Sequence, residues 1–170
     1  MSVSLGFMLR HPAHLVALGF GSGLAPRAPG TVGTLAAWAA FVLLQRAFGP
    51  LPWAVLLVAG LLLGVWACTL CARHLGLADP GAIVWDEILA FWLVLWLIAP
   101  AGWLPQLLAF ALFRFFDAVK PGPVGWADRL FKPQAGGQVG WKQGFGILFD
   151  DLVAAACTLL LMLPTRSLWT

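Results

Sequence analysis

Five apolar stretches, at about 31–48, 53–72, 83–99, 103–119 and 145–163, take up most of this chain. As helices rising about 1.5 Å per residue they would be roughly 26–30 Å long, close to the hydrocarbon thickness of a bilayer. The expected fold is therefore all-α: a polytopic integral membrane helical bundle of about four to five hydrophobic helices, with a short interfacial helix at the N-terminus. It forms one domain over residues 1–170. The second and fifth stretches read most clearly as spans. The third and fourth, joined by a segment bounded by Pro100 and Pro105, are shorter or more polar, which leaves a re-entrant or partly submerged hairpin open.

Composition agrees. Only 10% of the residues are charged, against about a quarter in a soluble domain, and 61% are hydrophobic. Ten Trp suit interfacial anchoring. A net charge of +3 is too weak and too dispersed for nucleic acid, so anionic membrane lipid is the more natural partner. Cys68, Cys71 and Cys157 all fall in apolar stretches, where they read as small core residues; the C-x-x-C has no second pair to complete a zinc site. The stretch from Ala13 to Phe20 after Arg10 resembles a signal peptide faintly. It is too short to span and runs into a Gly/Pro-rich loop, so it reads as an interfacial segment.

Against this background the acids stand out. Five of the seven carboxylates lie in or at the ends of apolar segments, and two adjacent pairs occur, Asp86-Glu87 and Asp150-Asp151. Ionised groups are costly there and are usually functional. If each segment crosses once, residues 73–85, the start of the third segment, the end of the fourth and the start of the fifth share one side. The acids and the loop at 19–33 then converge on a single face. The basic residues split 8 to 2: Arg10, Arg27, Arg73, Arg114, Lys120, Arg129, Lys132 and Lys142 are on that side, Arg46 and Arg166 on the other. By the positive-inside rule the acidic face is cytoplasmic.

Each cluster has a plain reading as well as a chemical one. Asp86-Glu87 at a helix start suits the dipole. Asp150-Asp151 lies deeper in its segment, where two adjacent acids raise each other's pKa unless a cation intervenes, and hard oxygen ligands suit Mg²⁺. Arg114, Asp117 and Lys120 are spaced three apart, as intrahelical ion pairs or as a metal ligand flanked by phosphate-binding cations. The loop around Arg27, leading to Thr31, reads either as a turn with Thr31 as N-cap or as a phosphate cradle. His11 and His14, three apart, would share a helical face, but no third partner stands near them in sequence.

Four ordered blocks carry a family resemblance. Gly19-Phe-Gly-Ser-Gly-Leu-Ala-Pro-Arg-Ala-Pro-Gly-Thr31, Ile83-Val-Trp-Asp-Glu87, Phe113-Arg-Phe-Phe-Asp117 with Lys120-Pro121, and Gly144-Phe-Gly-Ile-Leu-Phe-Asp-Asp151 together resemble the bacterial phosphatidylglycerophosphatase A family. Ala90 stands where that family reads D-E-x-x-G, and the segment 132–143 looks like an insertion. The resemblance implies a Mg²⁺-dependent phosphatase of the bacterial inner membrane, multi-pass, with its active site at the cytoplasmic face. It would convert phosphatidylglycerophosphate in the bilayer to phosphatidylglycerol, the cardiolipin precursor. The implied metal and catalytic residues are Asp86, Glu87, Asp117, Asp150 and Asp151, with Arg27, Thr31, Arg114 and Lys120 toward the phosphate. A cation or proton transporter using the same acids is the rival from another class, and a non-catalytic scaffold a third. Dimerisation is left open by the sequence.

Overall fold

A computed structural model describes residues 3–131 and 139–168. Lys132 and the Gly136-Gly137 pair of the connector lie outside the described residues. Among those described the regular structure is entirely helical: α1 (Leu5–Met8), α2 (Pro12–Ala17), a 3₁₀ turn (Gly19–Leu24), α3 (Pro29–Leu44), α4 (Pro50–Leu75), α5 (Trp85–Ile98), α6 (Trp103–Val119), α7 (Pro123–Leu130), α8 (Trp141–Met162) and a closing 3₁₀ turn (Leu163–Leu168).

The boundaries follow local chemistry. Proline occupies the first helical position of α2, α3, α4 and α7, where its missing N–H costs nothing. Gly76, at φ 67°, closes α4 in the left-handed conformation. Pro100 stops α5, because the residue before a proline is driven out of the helical region. At α8 the Gly140 N–H donates to Gln143 Oε1 at 2.8 Å, satisfying a backbone donor outside the first turn.

α5 is the centre of the bundle, packed by α3, α4 and α8. Ala90, Phe91, Val94 and Ile98 are fully buried along it. Close approach is made possible by Gly60 and Gly64 on α4, a G-x-x-x-G pair: a Cβ at Gly60 would meet Leu89 Cδ1 at 2.7 Å, and one at Gly64 would meet Trp85 Cδ1 at 2.7 Å and Leu148 Cδ2 at 2.8 Å. Cys68 and Cys71 are buried core residues on the same helix.

Two helical segments, Pro50–Leu75 and Trp141–Ser167, are long and apolar enough to cross a membrane, fewer than the four to five expected. The difference lies in helix length and burial. α5 has 14 residues, about 21 Å, and α3 has 16, about 24 Å. α5 is apolar because its neighbours enclose it, so its hydropathy reports a core and not a lipid-facing surface.

The helix ends meet at two opposite ends of the bundle. Gly30 at the start of α3 meets Glu87 at the start of α5. At the opposite end, Arg166 Nη2 donates to Ala99 O, just past α5, at 2.9 Å. α2 docks on α4 instead of standing free. His11 caps α2, accepting from Ala13 N–H at 3.0 Å. His14 Nδ1 bonds Phe7 O at 2.9 Å and Nε2 lies 2.7 Å from His74 Nδ1. The third histidine thus comes from α4, sixty residues away in the chain.

Candidate active site

Trp85 sets the position of the acids on α5. Its Nε1–H donates to Gly60 O at 2.9 Å, which pins the first residue of the helix to α4. Asp86 and Glu87 then follow in the first turn. Asp151 enters from the middle of α8 and is 3% exposed. One carboxylate oxygen from each of these three residues lies within 4.8 Å of the others. Moreover, Asp86 Oδ1, Glu87 Oε2 and Asp151 Oδ2 are buried with no hydrogen-bond partner among the described residues.

Arg114 on α6 answers part of this charge. Its Nη1 donates to Asp117 Oδ2 at 2.5 Å and lies 3.5 Å from Glu87 Oε1. The same nitrogen is 3.4 Å from the hydroxyl of Thr34, which in turn donates to Gly30 O at 2.8 Å. One guanidinium, in contact with Glu87 and Asp117, balances only part of the charge that the four acids Asp86, Glu87, Asp117 and Asp151 could carry. Buried carboxylates at this spacing repel, and an orphaned buried oxygen forfeits its hydration. A small divalent cation with hard oxygen ligands would relieve both, so this donor set fits Mg²⁺.

The five acids singled out by sequence fall into two sets. Asp86, Glu87 and Asp151 form the triad, with Asp117 tied to it through Arg114. Asp150 faces elsewhere. Lys120 donates to Asp150 Oδ2 and to Asp128 Oδ1, each at 2.5 Å. Burial works against the charge of Lys120, but its bonds to those two carboxylates outweigh that and hold the ammonium above its ordinary pKa. The intrahelical Asp117–Lys120 pair expected from the spacing gives way to this bridge. Lys120 ends α6 in the left-handed region (φ 49°), which turns its side chain toward α7 and α8. Beside the bridge, Asp79, Asp128, Gln143 and Asp150 line a cavity of about 250 Å³.

The two remaining residues of the expected phosphate set are less engaged. Arg27 is exposed on the loop before α3, and Thr31 is half-buried. Thr31 is not an N-cap: α3 begins at Pro29, preceded by Ala28 in the left-handed conformation, which makes Thr31 the third helical residue. Sequence reasoning passed over Gly30, Thr34 and Asp128. A Cβ at Gly30 would meet Glu87 Oε1 at 1.9 Å and Arg114 Nη1 at 3.2 Å, so only glycine admits the acid beside the backbone. Pro-Gly-Thr at a helix start, followed by Thr one turn on, was the available signal.

The comparisons with known proteins decide the family. The family model described as Phosphatidylglycerophosphatase A matches residues 15–166. The chain belongs to the phosphatidylglycerophosphatase A family. It is 40% identical over 147 residues to the Phosphatidylglycerophosphatase A of Haemophilus influenzae, covering 86% of this chain and 84% of that one. The Phosphatidylglycerophosphatase A of Escherichia coli is 37% identical over 149 residues, 86% of this chain and 78% of the relative. A relative from Bacteroides thetaiotaomicron, provisionally named a phosphatidylinositol-3-phosphatase, is 36% identical over 160 residues, 89% and 92% of the two chains. No solved structure matches. All four blocks that carry the resemblance, and the acid triad with them, lie inside the matched residues 15–166.

Proposed function

We propose that this chain is a Mg²⁺-dependent phosphatase of the bacterial inner membrane that hydrolyses the terminal phosphomonoester of phosphatidylglycerophosphate at the cytoplasmic face, giving phosphatidylglycerol and inorganic phosphate. The observation that carries this reading is the triad Asp86, Glu87 and Asp151, which brings one oxygen of each within 4.8 Å and leaves one buried oxygen of each without a hydrogen-bond partner among the described residues. Family membership supplies the reaction class and the substrate.

Asp86, Glu87 and Asp151 would hold the ion, with Asp117 in reach through its Arg114 partner. When bound, Mg²⁺ supplies charge neutralisation and Lewis-acid polarisation of the phosphate. The chain's own residues do the rest. Among the described residues Arg114 makes these three contacts through Nη1, so the other N–H groups of its planar fork could take phosphate oxygens. Asp117 and Glu87 hold that guanidinium in orientation. Arg27 stands on the loop at the same end of the bundle, where it would meet an approaching anionic headgroup. Lys120 is committed to Asp128 and Asp150, so its part is to fix α7 and α8 relative to α6 and only secondarily to bind phosphate. Asp150, spent on that bridge, serves as a support for its neighbour Asp151.

Transport through the same acids would call for carboxylates distributed along the membrane depth. Their gathering at one end supports hydrolysis over permeation. The deciding assay is phosphate release from phosphatidylglycerophosphate in detergent micelles: turnover present with Mg²⁺ and abolished by chelation is the expected result. Cation flux in liposomes without phosphate release would overturn it.

A further inference from the structure

We propose that the groove between α3 and α5 receives an acyl chain of the lipid substrate, with Phe20 and the alanines of α3 selecting its fit. This rests on the phosphatase reading and extends it to the part of the substrate that does not react.

The groove has a volume of about 370 Å³ and is lined chiefly by apolar side chains, among them Phe20, Ala36, Ala37, Ala40, Trp85 and Trp92. Its walls are fixed. Trp85 Nε1–H is bonded to Gly60 O, and Trp92 Nε1–H donates to Ala37 O at 2.8 Å. Trp85 and Trp92 also meet edge to face, with centroids 6.0 Å apart. The floor is a run of methyl groups: residues 36, 37 and 40 fall on one side of α3, where any larger side chain would fill the space.

Phe20 forms the lip. It sits at φ 54°, a region that side-chain-bearing residues avoid, between two glycines that also have positive φ. A chain that needed only the turn would place glycine there too. Phe20 is nonetheless retained, 65% exposed, with its ring edge-on to Trp85 at 6.1 Å. Backbone strain held for an outward-facing aromatic points to a use outside the protein.

Continuity with the acids identifies the occupant. Trp85 precedes Asp86 directly, and Gly30, in contact with Glu87, lies six residues before Ala36, about 9 Å along α3. A lipid whose phosphate lies at the triad must therefore carry its hydrocarbon away within one to two helical turns, and this groove leads from the site toward the far end of the bundle. An acyl chain satisfies that path. A second protein copy would have to insert a side chain beside the reacting headgroup.

The test uses the full chain in mixed micelles with phosphatidylglycerophosphate of long and short acyl chains and with the deacylated headgroup phosphate. Ala40→Leu and Ala36→Leu should lower kcat/KM for the long-chain lipid about tenfold and leave the deacylated compound unchanged. Phe20→Gly, which relieves the strained backbone and so keeps the fold, should weaken the preference for long over short chains. Equal losses on all three substrates, or none, would overturn the proposal. Photo-crosslinking by a lipid with a diazirine in its acyl chain gives an independent readout. Adducts within 20–40 and 85–92 that are lost in Ala40→Leu support the groove, whereas adducts confined to the outer face of α4 mean surrounding lipid only and refute it. Absent phosphate release by the wild type would instead count against the phosphatase reading, and the crosslinking would still judge the groove.

Discussion

An unpaired buried carboxylate oxygen is a cost that a fold sheds unless something uses it. Asp86, Glu87 and Asp151 each retain one. Replacing one acid by its amide therefore has opposite effects on the two properties that can be measured. Asp151→Asn removes a buried negative charge from a repelling cluster, so the metal-free protein should gain thermal stability. Phosphate release should fall on the order of 10²-fold, the scale for losing one element of a preorganised charge site. A scan of unfolding temperature without Mg²⁺, set beside turnover with it, checks both; lower stability together with full turnover would remove the triad from the chemistry. Gly30→Ala is the steric counterpart. Its Cβ would fall 1.9 Å from Glu87 Oε1, so the carboxylate must move, and activity should drop with little loss of fold. Gly49→Ala, where nothing lies within 4 Å of the added Cβ, is the control. The acids were legible in the sequence because charge in an apolar run is conspicuous. Gly30 and Thr34 were not, since a small residue and a hydroxyl at a helix start have ordinary reasons to be there.

At the scale of elements, the joint between α6, α7 and α8 depends on Lys120. Its ammonium bridges Asp128 and Asp150, and all three side chains are under a third exposed. Lys120→Met takes the cation from two largely buried acids and should destabilise the protein on the order of 3 kcal/mol, read by denaturant unfolding in detergent. The N-terminal helices hang on a different contact. Burial lowers the pKa of His14; its bond to Phe7 O opposes that, and the nearby His74, His11 and Arg10 add to the lowering. A depressed folded pKa means stability that is present above the ordinary value of 6.5 and is lost as pH falls below it. Hydrogen-exchange protection factors over residues 13–18, taken relative to the intrinsic rate at each pH, should accordingly fall from pH 7.5 to pH 5 while those in α5 hold. The five main helices were readable from the apolar runs. α7 was not, because Pro121, Gly122, Pro123 and Gly125 read as a loop. Nor was the partner of His14, which comes from α4 through tertiary packing alone.

For the whole molecule, the exposed apolar side chains bear on a membrane setting as much as the two long apolar helices do. Leu51, Val55, Val58 and Leu62 form an exposed row on α4, and Leu104, Leu107 and Leu108 are exposed on α6. Such a belt would be a liability in water and suits hydrocarbon. Arg46 and Arg166 mark the end of the bundle opposite the acids, since they follow the C-terminal ends of α3 and α8. If the acidic end faces the cytoplasm, single cysteines report it directly. In a background with Cys68, Cys71 and Cys157 replaced by Ala, the exposed positions Arg46→Cys and Arg129→Cys should behave oppositely toward a membrane-impermeant maleimide. Arg46→Cys should react in intact spheroplasts and Arg129→Cys only after permeabilisation. The reverse pattern would turn the molecule over and place the triad outside the cell. Because the same threading that gathers Asp86, Glu87 and Asp151 also fixes which end carries Arg27, Arg114, Lys120 and Arg129, orientation and catalysis stand or fall together.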